Sequence, residues 1–270
     1  MTSRFKDYIP EFEYFTKQLA IDYVNGHLTE NSFRQRCDIF YTNSMMQKID
    51  AVTTAWIVMA SYQQGATLYH VTSVLVALYL LPEYQSATKH QQALMEWTVL
   101  FHDVAKVPVK NGHDYVHGFK STAIAGKALT KLGFPLKQGQ TKLDLDTWAD
   151  LTHNAIIYDA QHAEYIQDNS KLEKIIENLK QLHSNDAYCI LTAILFHISI
   201  RTDPNYPILA PLSDNEIRQY ITPDSLAIIK AMILVDNDGW CLFDRDTQQQ
   251  RRKQTLMTFE QFVTPLVLSP

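Results

Sequence analysis

The chain has 270 residues, 46% of them hydrophobic and 20% charged, the proportions of a soluble globular protein long enough for one domain with an extension. Its net charge of −5 offers no strong field for nucleic acid, and its 8 glycines are too few for an all-β chain rich in tight turns. The longest apolar stretches, 71–81 and 187–200, fall short of the roughly 18–20 residues that span a bilayer, so no membrane partner is expected. Cys37, Cys189 and Cys241 form no C-x-x-C pair and the first twelve residues carry no signal-peptide core, so a cytoplasmic protein with reduced thiols is expected.

In chain order, the first 65 residues read as two or three helices with a break at Asn25-Gly26. Residues 68–81 read as a buried helix ended by Pro82. Residues 91–105 form another, bounded by Pro108 because Val107 is pushed away from helical angles. After a polar loop at 110–115, His117 opens a helix to Leu132 with Gly133 as its C-terminal cap. A turn-rich stretch at 135–142 leads to a helix around 147–157, and further helices are predicted at 172–182 and 187–200. The three prolines of 201–211 predict a loop. Ser213-x-x-Glu216 is a capping box, and Thr222-Pro223 starts a long helix through about Cys241. The basic cluster Arg251-Arg252-Lys253 reads as a solvated helix face. No segment reads as a strand, so the predicted class is all-α: an N-terminal helical extension (1–66) packed on a helical core domain (67–245), with a C-terminal tail (246–270).

The chemistry sits on apolar helix faces. Leu226, Ile229, Ile233 and Asp236 share one face of the last long helix, where a lone carboxylate is costly unless a metal, an arginine or a cap bond satisfies it. His117 lines a face with Ser121, Ile124, Ala128 and Leu132. His153 lines one with Ala149 and Ile156, and His70 begins the helix whose inward face is Val74, Leu78 and Leu81. One such histidine is ordinarily a satisfied core residue. Several, together with a buried carboxylate, are satisfied most simply by a shared cation cluster. The adjacent pair His102-Asp103 ends a buried apolar run. His197, surrounded by apolar residues, reads as a core histidine in preference to a seventh ligand or a substrate contact. Lys106 either meets a phosphate or snorkels at a helix end. Asp236-Asn237-Asp238-Gly239 is an incomplete calcium loop, and no dinucleotide, Walker A or nucleophile-elbow motif is present.

The order His70, His102-Asp103, Asp236, each on its own helix, resembles the H…HD…D signature of the HD superfamily of metal-dependent phosphohydrolases. LFHDVAK is similar to that superfamily's HDxGK segment, with Ala105 in place of the usual glycine. Residues 113–134 are similar to the segment after the HD pair in bacterial CCA-adding enzymes, and ILVDNDGW to the terminal aspartate segment of many members. Missing features disfavour a cyclic di-GMP phosphodiesterase with a Gly-Tyr-Pro segment and a guanosine-tetraphosphate hydrolase. The resemblance covers about 68–241. It implies an HD-domain helical bundle that hydrolyses a phosphoester, plausibly a nucleotide or phosphodiester, as its small-molecule substrate. It also implies two divalent ions drawn from Mn, Mg, Fe, Zn, Co or Ni. The ligands it implies are His70, His102, Asp103 and Asp236 for one ion and Asp103, His117 and His153 for the other, with Asp103 bridging. Asp103 and Lys106 would be the catalytic residues. One alternative is a di-iron oxygenase of the superfamily, which shares this ligand set; the other is a non-catalytic sensor that keeps the fold and merely binds a ligand, against which the complete core signature argues.

Overall fold

The computed structural model describes residues 3–61, 65–107, 114–161, 163–200 and 211–269. It is 72% helical, with a single two-stranded sheet among the described residues, and the class is all-α. The helices are α1 (Pro10–Val24), α2 (Glu30–Phe40), α3 (Asn43–Thr53), α4 (Trp56–Ala60), α5 (Ala66–Leu80), α6 (Pro82–Ser86), α7 (Lys89–Phe101), α8 (His117–Leu129) and α9 (Lys142–His153). After the hairpin β1 (Ile156–Asp159) and β2 (Glu164–Gln167) come α10 (Leu172–Leu182), α11 (Asn185–Phe196), α12 (Asp214–Tyr220), α13 (Pro223–Trp240), α14 (Arg245–Thr258) and α15 (Thr264–Leu268).

Local chemistry sets most of these ends. Thr222 accepts the Ser225 amide at 3.1 Å while the Ser225 hydroxyl accepts the Thr222 amide at 2.9 Å, and Pro223 occupies the first turn of α13. Thr88 with Gln91 and Ser213 with Glu216 cap α7 and α12 in the same way. Leu81 is extended ahead of Pro82, which separates α5 from α6. Gly26 and Gly133 take φ of +73° and +89°, and the turn at Gly133 lets the Phe134 amide bond back to the Leu129 carbonyl at 3.1 Å.

Five helices build the centre. α13 packs on α5 and α11, and α11 packs on α7 and α8. α5 and α11 are apolar nearly all round and buried accordingly. Two glycines permit the closest approaches. A Cβ at Gly239 would stand 2.5 Å from Val74 Cγ2, and one at Gly118 would stand 3.2 Å from the carbonyls of Ile194 and Leu195. They draw α13 onto α5 and α8 onto α11 at the level of the buried histidines. α1 lies on α5, and Phe5, Phe12 and Trp56 belong to the same contiguous core as Trp97 and Phe196.

Three differences from the sequence expectation have physical causes. The helix expected around 147–157 stops at His153, and 156–167 turns back as an antiparallel hairpin pairing Ile156 with Gln167 and Asp159 with Glu164; β-branched and aromatic residues at Ile156, Ile157, Tyr158, Tyr165 and Ile166 favour this. The described residues of the N-terminal 65 hold four α-helices, not two or three. The helix in the C-terminal tail extends well beyond the expected face at 251–253: α14 has no buried residue, which hides its extent from a hydrophobic-pattern reading, but Arg252 anchors it through Asp238 at 2.6 Å. The loop expected at 201–211 lies, apart from Pro211, outside the described residues, as does most of the polar loop at 110–115.

Candidate metal centre

His70 stands one turn into α5, His102 and Asp103 follow the end of α7, His117 opens α8, His197 caps the C-terminus of α11, and Asp236 lies in the last turn of α13. Their donor atoms form two groups, His70, His102 and Asp236 in one and Asp103, His117 and His197 in the other, with ligand atoms within 4.8 Å of one another in each. All are buried except Asp236, which is partly exposed.

Hydrogen bonds to backbone carbonyls orient three of the four rings. His102 Nδ1 donates to Val99 O at 2.7 Å, His197 Nδ1 to Ile194 O at 2.6 Å, and His117 Nδ1 to Asp114 O. Each bond spans three residues and assigns the proton to Nδ1, leaving Nε2 as a lone pair aimed inward. His117 Nε2 and His197 Nε2 then face each other at 3.0 Å. Two lone pairs at that separation repel unless a cation or a shared proton lies between them, and two metal–nitrogen bonds of about 2.1 Å can span it. Among the described residues, His102 Nε2 and Asp103 Oδ1 are buried without a hydrogen-bond partner, although Oδ1 stands 2.8 Å from His117 Nε2. Unsatisfied buried acceptors converging on one another suit a cation that supplies the missing positive charge. His70 differs: its Nε2 meets Asp236 Oδ1 at 2.8 Å, its Nδ1 has no partner among the described residues, and its ring is stacked on Trp240 with centroids 4.0 Å apart.

Asp103 lies between the groups. Its Oδ1 faces His117, while its Oδ2 stands 3.7 Å from both His70 Nε2 and His102 Nε2 and accepts from Lys106 Nζ at 2.9 Å. Burial opposes its ionisation, but Lys106, His102 and His117 outweigh that and hold it well below the usual carboxylate range. For Asp236, burial is likewise outweighed by His102 and His70. Burial and then His117 and His102 push His197 down to about 3, so it is a neutral lone-pair donor. For His102, burial is outweighed by Asp103 and Asp236, which hold it above its usual value.

The structure therefore brings His70, His102, Asp103, His117 and Asp236 together, with Lys106 beside Asp103. It does not bring His153 to them. His153 is exposed at the last residue of α9, one position round from the buried Thr152, and belongs to neither group. Its expected inward face was extrapolated to Ile156, which is already in β1. The position expected of His153 is taken by His197, read from sequence as a core histidine. The all-round apolarity of α11 masked it. The available signal was that a fully apolar helix end offers its ring no side-chain partner. Trp240 was not singled out at all.

No family model, no curated protein and no solved structure matches the chain. Among the described residues, no helix is long and apolar enough to cross a membrane.

Proposed function

We propose that this protein is a metal-dependent phosphohydrolase of the HD type that hydrolyses a small phosphoester, a nucleotide or phosphodiester, in the cytoplasm. The observation that carries the reading is the place of Asp103. Its Oδ1 stands with His117 in the group that Asp103 itself completes, while its Oδ2 faces His70 and His102 of the other group, the arrangement needed to hold two divalent ions side by side. His70, His102 and Asp236 would hold one ion, His117 and His197 the other, with Asp103 shared. Three buried, unpaired cysteines agree with a reducing compartment.

Bound there, two divalent ions would supply Lewis acidity, polarising a phosphoryl oxygen and acidifying water near neutral pH. The chain's own residues do the rest. The carbonyl bonds to His102, His117 and His197 keep lone pairs aimed without rearrangement. Asp103, ionised in a buried setting, fixes the spacing of the two groups. Lys106, 2.9 Å from Asp103 Oδ2, places an ammonium where charge grows on the transferred phosphoryl group.

The test is metal analysis of the purified protein, followed by anaerobic assay on nucleotides and phosphodiesters with Mn²⁺ or Mg²⁺. About two ions per chain and oxygen-independent release of phosphate or nucleoside monophosphate are expected. Asp103→Ala abolishes turnover. Lys106→Ala keeps the ions and slows turnover roughly 10- to 1,000-fold. Turnover only with iron and oxygen makes the protein an oxygenase, and ligand binding without turnover makes it a sensor.

A further inference from the structure

Of the four tryptophans, Trp56, Trp97 and Trp148 are fully buried, whereas Trp240 is 51% exposed. Leaving half of the largest apolar side chain in water forfeits about half of what its full burial would contribute to stability, so its position calls for another cause. It is the last residue of α13, four positions beyond Asp236. One part of the indole lies nearly parallel to the His70 ring, with an interplanar angle of 20° and a centroid distance of 4.0 Å. The Lys106 ammonium stands 5.3 Å from the indole centroid and 2.9 Å from Asp103 Oδ2. An exposed aromatic surface therefore borders the centre directly, next to the ammonium that faces it.

We infer that the exposed part of the Trp240 indole is a stacking subsite for the base of a nucleotide whose phosphoryl group lies at the Asp103–Lys106 centre. The placement of the phosphoryl group rests on the phosphohydrolase reading; the stacking surface does not. A base is the group whose shape and chemistry fit: it is planar, every base has a π-face, and stacking on an aromatic side chain tolerates changes of base. Trp240 is stacked on a candidate ligand and its ring centre lies 5.3 Å from the Lys106 ammonium, so a base lying on the exposed part of the indole would sit beside the centre. The reading makes Trp240 a specificity residue that favours nucleotides over base-free sugar phosphates.

The probes are adenosine 5′-monophosphate and ribose 5-phosphate, which differ only in the base. In the metal-loaded protein, the nucleotide should quench the solvent-exposed, red-shifted tryptophan emission and ribose 5-phosphate should not, since the other three indoles are sealed. By calorimetry, Trp240→Leu should lower the preference for the nucleotide over ribose 5-phosphate roughly 5- to 100-fold, the range that base–aromatic stacking supplies. Trp240→Phe, which keeps a ring, should restore most of it. Both readouts are binding measurements, so they decide the point even if no hydrolysis is found and the phosphohydrolase reading fails. Equal loss of both probes in Trp240→Leu, with a lower metal content, would mean that the indole only positions His70 and would overturn the inference. So would quenching by ribose 5-phosphate as strong as by the nucleotide.

Discussion

His197 and His183 occupy equivalent places: each caps the C-terminus of its helix, α11 or α10, and each is buried. Burial is the leading cause that holds both below the usual imidazole value, to about 3 and about 4. They differ in what their nitrogens meet. His197 donates Nδ1–H to Ile194 O and turns Nε2 toward His117, beside Asp103. Neither nitrogen of His183 has a partner among the described residues, and its ring packs edge-on against Trp148 at 5.5 Å. Burial therefore does not mark a ligand. Convergence of an oriented lone pair with other donors does, and the same distinction removes the exposed His153 from the centre.

The comparison breaks most easily on metal content. His197→Ala should lower bound metal from about two ions to about one per chain, while His183→Ala and His153→Ala leave it unchanged, all read on folded, purified variants. Metal at 100 times its Kd stabilises the folded chain by about 2.7 kcal/mol, or roughly 5–10 °C in melting temperature at this size. His197→Ala should lose much of that metal-dependent gain. Loss of an ion from His153→Ala with none from His197→Ala would reverse the assignment.

The contrast also shows what could be read from the sequence. Helix starts with paired signals were legible: Thr222-Pro223, Ser213 with Glu216, and the stop before Pro82 all coincide with element ends. So was the turning of His70, His117 and Asp236 toward the interior, because each sits on an apolar helix face, whereas His102 and Asp103 joined them only through the family resemblance. The hairpin was not, because four-residue strands carry too little pattern and followed directly on a helix. Nor was the extent of α14, none of whose residues is fully buried and which is held by the ion pairs of Arg252 with Asp238 and Glu83, by the Gln248–Asp238 and Asn237–Thr255 hydrogen bonds and by partly buried Leu256. The choice between His153 and His197 depended on where α9 ended and how α11 met α8, and periodicity along one helix contains neither fact.

If position decides, moving a helix without touching a donor should disturb the centre. Gly239→Ala puts a methyl 2.5 Å from Val74 Cγ2 and 3.0 Å from the Val74 amide nitrogen. Helix propensity alone would make this change stabilising by about 1 kcal/mol. Overpacking outweighs it, and a net loss of about 2 kcal/mol is expected, or roughly 4–8 °C in melting temperature. Because α13 carries Asp236 and α5 carries His70, metal binding at that group should weaken as well. A variant melting at or above the parent temperature would show that the two helices have room to spare.

The smallest effect isolates His183. Burial, reinforced by Lys137, lowers it from 6.5 to about 4, so the folded state resists a proton that the unfolded chain accepts. The unfolded state binds more protons between those two values, and stability therefore rises with pH across that window. The contribution of neutral His183 is fully present above pH 6.5, declines as pH falls through the window and is lost below about 4. At pH 5.5 the unfolded chain protonates this site about tenfold over the neutral form while the folded chain does not, so the loss relative to pH 8 is about 1.4 kcal/mol. Other groups contribute to the pH dependence too, so the measurement is the difference between the parent and His183→Leu. The leucine variant replaces an imidazole that makes no hydrogen bond with an apolar side chain of similar size, which should be neutral or stabilising at pH 8. Its denaturation midpoint should then fall less than the parent's between pH 8 and pH 5.5, by the equivalent of about 1.4 kcal/mol. Parallel pH profiles for the two proteins would mean that His183 is protonated at no cost in the folded state, and its ring would then have a partner that sets it beside His197 after all.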